Sequence, residues 1–183
     1  MLPVSFRWFA NSCVPARNRR KQAVLGLTLL VAAGCGGGSA GKGTVVKGPG
    51  FTFVAPAQWT VSRKGSQVQA AQEARLISVT HFLLLRRFRP ELWDKVLPEL
   101  DRAAGAIARQ QQGTATGSHT VTIAGQRARS YDIAYTGEGK QLVERIAFVL
   151  RAKDEYLLLC RYERGGATDA CDGLLTSFRL AAA

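Results

Sequence analysis

Between Ser118 and Tyr162 the chain runs as four strand-length segments, 118–124, 126–136, 141–151 and 155–162, separated only by Ala124-Gly125, Thr136-Gly137-Glu138-Gly139 and Ala152-Lys153-Asp154. Turns this short join antiparallel strands, because a parallel connection needs a crossover of about a dozen residues or more. The stretch therefore predicts a meander in which each strand pairs with the next. In the third segment Leu142, Ile146, Phe148 and Leu150 mark a buried face, interrupted at Glu144.

The hydrophobic period changes between Pro90 and Gln112, where Leu92, Trp93, Val96, Leu97, Leu100, Ala104 and Ile107 recur every three or four residues. That spacing gives a helix with one apolar stripe and Glu91, Asp94, Lys95, Glu99 and Arg102 outside it. Pro98 lacks the N–H of a helix interior, so a kink or restart is expected there. Upstream, Phe51–Val54 and Trp59–Val61 read as short strands split by Ala55-Pro56-Ala57. Arg75–Leu85 reads as a central strand with Ile77, Val79, His81, Leu83 and Leu85 on one apolar face. A final helix over Thr168–Phe178 has Thr168 as N-cap and Cys171, Leu174, Leu175 and Phe178 as its buried stripe. The fold class is α+β, a mainly antiparallel sheet flanked by helices.

Ahead of these elements lies a different kind of sequence. The basic stretch Arg17-Asn18-Arg19-Arg20-Lys21 is followed by an apolar run, Leu27 to Gly34, closed by Cys35. It is far shorter than the roughly 20 apolar residues a spanning helix needs, and it ends in small residues as cleaved segments do. It resembles a bacterial lipoprotein signal. In that family Val31-Ala32-Ala33-Gly34-Cys35 corresponds to the lipobox, which implies cleavage between Gly34 and Cys35 and a diacylglyceryl group on the Cys35 thiol. The aromatic-rich residues before Val14 are foreign to such a signal, so translation is expected to start near Val14; a cellular peptide from residues 1–13 would refute this. Arg19-Arg20 also permits twin-arginine export, although Lys21-Gln22-Ala23 replaces the hydrophobic residues usual after that pair.

The formal charge of +12 rests on 25 basic and 13 acidic residues. Arg7, Arg17, Arg19, Arg20 and Lys21 precede the cleavage point, which leaves 20 basic against 13 acidic side chains, or +7. Residues 36–50 are so rich in glycine that ordering them costs entropy with little to bury. They read as a tether with a reach on the order of 20 Å. Gly41-Lys42-Gly43-Thr44 lacks the spacing, strand and helix that a phosphate loop requires. The expected organisation is 1–34 signal, 35–50 tether and 51–183 a single domain.

Three stretches carry a second resemblance. The opening Phe51-Thr52-Phe53-Val54-Ala55-Pro56-Ala57-Gln58-Trp59 and the later Val121-Thr122-Ile123-Ala124-Gly125-Gln126-Arg127-Ala128, with the ending Leu174 to Phe178, are similar to the Mog/PsbP-like α/β/α sandwich. Members of that group include photosystem II extrinsic subunits, a Ran-binding import factor and LpqN-like lipoproteins. The lipobox points to the last of these. One fold hosts unrelated roles, so the resemblance implies architecture and not activity.

Of the four cysteines, Cys13 goes with the signal and Cys35 with the lipid, which leaves Cys160 and Cys171. Export would deliver them to a compartment where disulfides persist, and a bond between them would join the last strand to the last helix. The alternative is two buried thiols. Zinc would need two further ligands, and neither His81 nor His119 has the spacing to supply them, so no metal and no cofactor is implied.

The Gly-x-Ser-x-Gly match at Gly37-Gly38-Ser39-Ala40-Gly41 lies within the glycine-rich tether, without the strand and helix that a nucleophile elbow requires. His81 lies among apolar strand residues and reads as a satisfied core histidine, while His119 reads as exposed. Arg86, Arg87 and Arg89, around Phe88, form the densest positive cluster and suit an anionic surface. The expected function is a lipid-anchored, non-catalytic binding or adaptor module on the outer face of the cytoplasmic membrane. Its expected partners are the membrane itself, through the anchor, and anionic lipid, a wall polymer or an envelope protein; the compartment disfavours nucleic acid. The alternative is an envelope enzyme or enzyme accessory whose site is assembled from separated residues such as His119, Asp132 and Glu144. A histidine and a carboxylate within hydrogen-bonding reach in a pocket would favour it.

Overall fold

The computed structural model of the protein describes residues 43–182. The signal, the lipobox with Gly34 and Cys35, and the tether up to residue 42 lie outside the described residues. The elements are β1 (Thr44–Gly48), β2 (Phe51–Ala55), β3 (Thr60–Lys64), β4 (Gln67–Gln72), β5 (Arg75–Leu83), α1 (Trp93–Gln110), β6 (Thr114–Ile123), β7 (Gln126–Gly137), β8 (Lys140–Arg151), β9 (Asp154–Glu163), α2 (Asp169–Ser177) and β10 (Arg179–Leu180). A 3-10 turn, Pro90–Leu92, leads into α1.

The expected meander is present, and it is the larger part of a seven-stranded antiparallel sheet in the order β3-β4-β5-β9-β8-β7-β6. Its hairpins close through two-residue loops in which Ala124, Gly125, Glu138 and Gly139 all have positive φ, the backbone that matches the twist of the flanking strands. Alternation then sends opposite sides of each strand to different cores. Leu100, Ala104 and Ala108 of α1 pack on Ile133, Ile146, Phe148 and Leu157. On the other face Cys171, Leu174 and Phe178, with Phe51 and Phe53, cover Ile77, Val79, Val149 and Leu158. A helix therefore lies on each face, as expected for the α+β class, but α2 shares its layer with a three-stranded sheet, β1-β2-β10.

Several expectations are corrected. Thr44–Gly48, assigned to the tether, is strand β1; it pairs with β2 from Thr44↔Ala55 to Gly48↔Phe51 and buries Val46. Strand β4 was not expected, because Gln67-Val68-Gln69-Ala70-Ala71-Gln72 carries few β-branched side chains; it is held by pairing on both edges. Helix α1 runs through Pro98 without a restart. Pro98 is exposed, as is Asp94, the residue one turn back whose carbonyl loses the N–H partner. Thr168 makes no side-chain cap bond to the helix backbone; its hydroxyl instead donates to Asp172 Oδ2 at 3.1 Å.

Strand β5 stops at Leu83 and not at Leu85. The Leu84 N–H donates to the Lys153 carbonyl at 2.8 Å, drawing the chain over the β8–β9 turn. Leu83 and Leu85, expected on a buried face, are 77% and 86% exposed.

Candidate functional site

The cleft richest in chemistry lies on the α2 side of the large sheet. Its floor comes from β6, β7 and β8 and its wall from the end of α2. A bulge in β6 creates that floor. The register jumps between Thr116↔Asp132 and His119↔Ser130, and Gly117 takes φ +61°. The extra residue reverses the alternation of β6, so that His119, Val121 and Ile123 share a face with Ser130 and Asp132. The resulting space is about 480 Å³, lined also by Arg145, Leu175 and Thr176. An adjoining shelf of about 630 Å³ shares Ala124 and Arg179 with it and is bounded by Arg151 and the chain end at Leu180–Ala182.

Within the cleft the charges already have partners. Arg145 donates from Nε to Asp132 Oδ1 at 2.9 Å and from Nη2 to Asp132 Oδ2 at 3.3 Å. This two-point grip, with Asp132 the first cause, raises the Arg145 pKa. The Arg145 guanidinium also reaches Asp172 of α2 at 4.0 Å and lies 6.0 Å from the Tyr162 ring centroid. Ser130 Oγ donates to the Ile146 carbonyl at 3.1 Å. Neither a hydrogen bond nor an ion pair joins His119 to Asp132 among the described residues. His119 is exposed, as expected.

Glu144 does not join them. It lies on the α1 side of β8, fully buried, and its Oε1 accepts from Arg161 Nε at 2.9 Å, Arg161 Nη2 at 2.7 Å and Tyr135 Oη at 2.9 Å. Burial first, then the Glu144 charge, pushes the Tyr135 phenol pKa up. The interruption at Glu144 in the apolar face of β8 is thus a buried ion pair, and the trio His119, Asp132 and Glu144 is divided between the two faces of the sheet.

A histidine–carboxylate contact occurs elsewhere. His81 Nε2 is 2.8 Å from Asp154 Oδ1, and its ring stacks on Tyr156 with centroids 5.1 Å apart. Neither residue lines the two clefts described above. Next to Asp154, Glu155 is only 8% exposed, and burial pushes its carboxyl up to about 7.

Cys160 and Cys171 form a disulfide, with Cα atoms 5.4 Å apart, that fastens α2 to β9. Arg86, Arg87 and Arg89 are exposed in the loop after β5. Among the described residues, no group of three or more His, Cys, Asp or Glu side chains is placed to hold a metal ion, and no helix is long and apolar enough to cross a membrane.

No family model matches the chain, and no curated protein matches it. Solved structures do. A crystal structure from Bacteroides thetaiotaomicron superposes with a TM-score of 0.57 at 11% identity, covering 79% of this chain and 50% of that one. The chain thus spans about half the length of that protein, and the likeness is one of fold. LpqN, involved in cell envelope biogenesis of Mycobacterium tuberculosis, is similar at a TM-score of 0.45 and 15% identity over 76% of this chain and 86% of its own. A protein of unknown function from Pseudomonas aeruginosa gives 0.37 and 18% over 68% and 85%.

Proposed function

We propose that the protein is a lipoprotein of the cell envelope, anchored through Cys35 on the outer face of the cytoplasmic membrane, whose Mog/PsbP-type domain binds a partner in the α2 cleft without transforming it. The observation that carries this reading is that Asp132, Arg145 and Ser130 of the cleft are bonded to one another or to the backbone. Arg145 holds both oxygens of Asp132 and Ser130 is bonded to the Ile146 carbonyl, so these groups shape a fixed rim around the exposed Val121. Asp132 is gripped by the Arg145 guanidinium and makes no hydrogen bond to His119, so the cleft presents no paired histidine and carboxylate. The Cys160–Cys171 bond agrees with an oxidising compartment, and the lipobox supplies the anchor.

Two measurements test the two halves. Metabolic labelling with a fatty-acid analogue should mark the protein and be abolished by Cys35→Ser; labelling that survives the substitution overturns the anchor. A photo-crosslinking side chain at Val121 should capture a discrete partner in intact cells. If the same side chain at Glu138, on the distant β7–β8 turn, gives the same products, the cleft is not the binding face.

The enzyme reading would rest on the His81–Asp154 contact at 2.8 Å, which lies outside the two clefts. Its test is His81→Asn: loss of an envelope phenotype with unchanged stability would support it.

A further inference from the structure

We propose that the loop Leu83–Arg89 is a bilayer-docking element, in which Leu83 and Leu85 enter the interface of an anionic membrane while Arg86, Arg87 and Arg89 engage lipid phosphates. The juxtaposition is specific. Of the four large apolar side chains that are exposed among the described residues, Val45, Leu83, Leu85 and Val121, two stand in this loop, and they are the most exposed of the four at 77% and 86%. A single exposed leucine is ordinary. Two of them two residues apart, followed by three exposed arginines, combine the apolar area and the cationic charge that interfacial binding uses.

The loop is built to present these side chains. Leu84 and Phe88 pack against the α1-side core. The backbone is tied down at both ends, by Leu84 N–H to the Lys153 carbonyl at 2.8 Å and by Phe88 N–H to the Ala152 carbonyl at 2.7 Å, and Lys153 Nζ donates to the Leu85 carbonyl at 3.1 Å. Ordering entropy is therefore already spent in folding, and the leucines are held outward instead of collapsing onto the core. Among the described residues no hydrogen bond or ion pair engages the side chains of Arg86, Arg87 or Arg89, and Lys153 adds a fourth positive charge beside them. A solvated loop would have no use for two leucines in these positions. An acidic polymer would use the arginines alone.

Chain length permits the arrangement. Leu83 lies at the same end of the sheet as Tyr156, whose hydroxyl donates to the Gly50 carbonyl at 3.4 Å, so the β1–β2 turn is at the docking end. Strand β1 leads back from that turn over five residues, about 16 Å, and the residues from Cys35 to Gly43 can extend to about 30 Å.

The inference rests on the reading of the protein as an acylated chain facing the outer leaflet, and the experiment separates the two. The acylated full-length product, purified from membranes with Leu83→Cys carrying an environment-sensitive fluorophore, is reconstituted in vesicles of phosphatidylcholine with or without phosphatidylglycerol. Failure to load into vesicles would count against the anchor. Given loading, the label at residue 83 should shift to the blue and be quenched by lipids spin-labelled near the headgroup only when phosphatidylglycerol is present, while a label at Glu138→Cys stays aqueous. In a chain labelled at Leu85→Cys, Leu83→Asp should abolish docking. Replacing Arg86, Arg87 and Arg89 together by serine should lower the docked-to-undocked ratio on the order of 100-fold at low salt.

A label at 83 that remains as aqueous as that at 138 in anionic vesicles overturns the proposal and leaves a protein partner for the loop. Binding that needs the arginines but is indifferent to Leu83→Asp also overturns it, in favour of an acidic polymer.

Discussion

Arg161 directs two of its N–H groups, from Nε and Nη2, at a single oxygen of Glu144, at 2.9 and 2.7 Å. The carboxylate has no exposed surface, and its other oxygen is buried without a hydrogen-bond partner. Such a pair contributes little net stability against an apolar replacement, yet removing one member strands the other's charge. Arg161→Met should therefore cost about 3 to 5 kcal/mol. The double variant Arg161→Met with Glu144→Leu should recover most of that loss, in urea denaturation of the two singles and the double.

The disulfide closes a short loop between residues 160 and 171, a sequence separation of 11. In the chain-entropy account this is worth on the order of 3 kcal/mol. Reductant should lower the urea midpoint of the wild type and leave that of Cys160→Ala/Cys171→Ala unchanged. Native protein unfolded without reductant should resist alkylation at both positions by mass spectrometry.

Glu155 pairs in register with Phe82 and Leu150 and lies buried at the start of β9. Its carboxyl, ordinarily near 4.5, is pushed up to about 7 by desolvation. The folded state therefore holds the proton more tightly than the unfolded chain does. This contribution to stability is fully present below pH 4.5 and is lost as pH rises through 7. Glu155→Gln, neutral throughout, should lack that slope and exceed the wild type above pH 7 by on the order of 3 kcal/mol. Denaturant midpoints measured across the range decide it.

Gly117 holds the β6 bulge at φ +61°. A Cβ there would lie 3.4 Å from His119 Nε2 and, more importantly, would sit in a left-handed backbone. Gly117→Val should cost about 1 to 2 kcal/mol, with chemical-shift changes concentrated in His119 and Val121. Deleting Gly117 should restore plain alternation and turn His119 to the opposite face from Asp132, which the amide and ring shifts of His119 would register.

The meander was legible because short turns and alternating apolar residues are local signals, and the same is true of α1, whose stripe is written at helical spacing. The disulfide followed from having two cysteines left and two elements to join. What escaped was set by distant partners. Gln67–Gln72 becomes a strand only because β3 and β5 flank it, and Thr44–Gly48 because β2 accepts its pairing. Leu83 and Leu85 continue the period of β5 in sequence, but Lys153, about 70 positions later, takes the backbone off the sheet. The cleft depends on the bulge at Gly117 and on the end of α2, neither of which a local pattern relates to the other. Glu144 was visible as an anomaly in β8, but its meaning waited for Arg161.

The bulge in β6 has an effect beyond the cleft. β6 is the last strand of the seven-stranded sheet, so one row of its backbone groups has no strand beside it. A long straight border strand would invite copies of the chain to zip together into ribbons. The break between Thr116 and His119 interrupts the hydrogen-bonding rhythm halfway along that border. Crowded molecules can then slide past each other without seeding a continuous sheet.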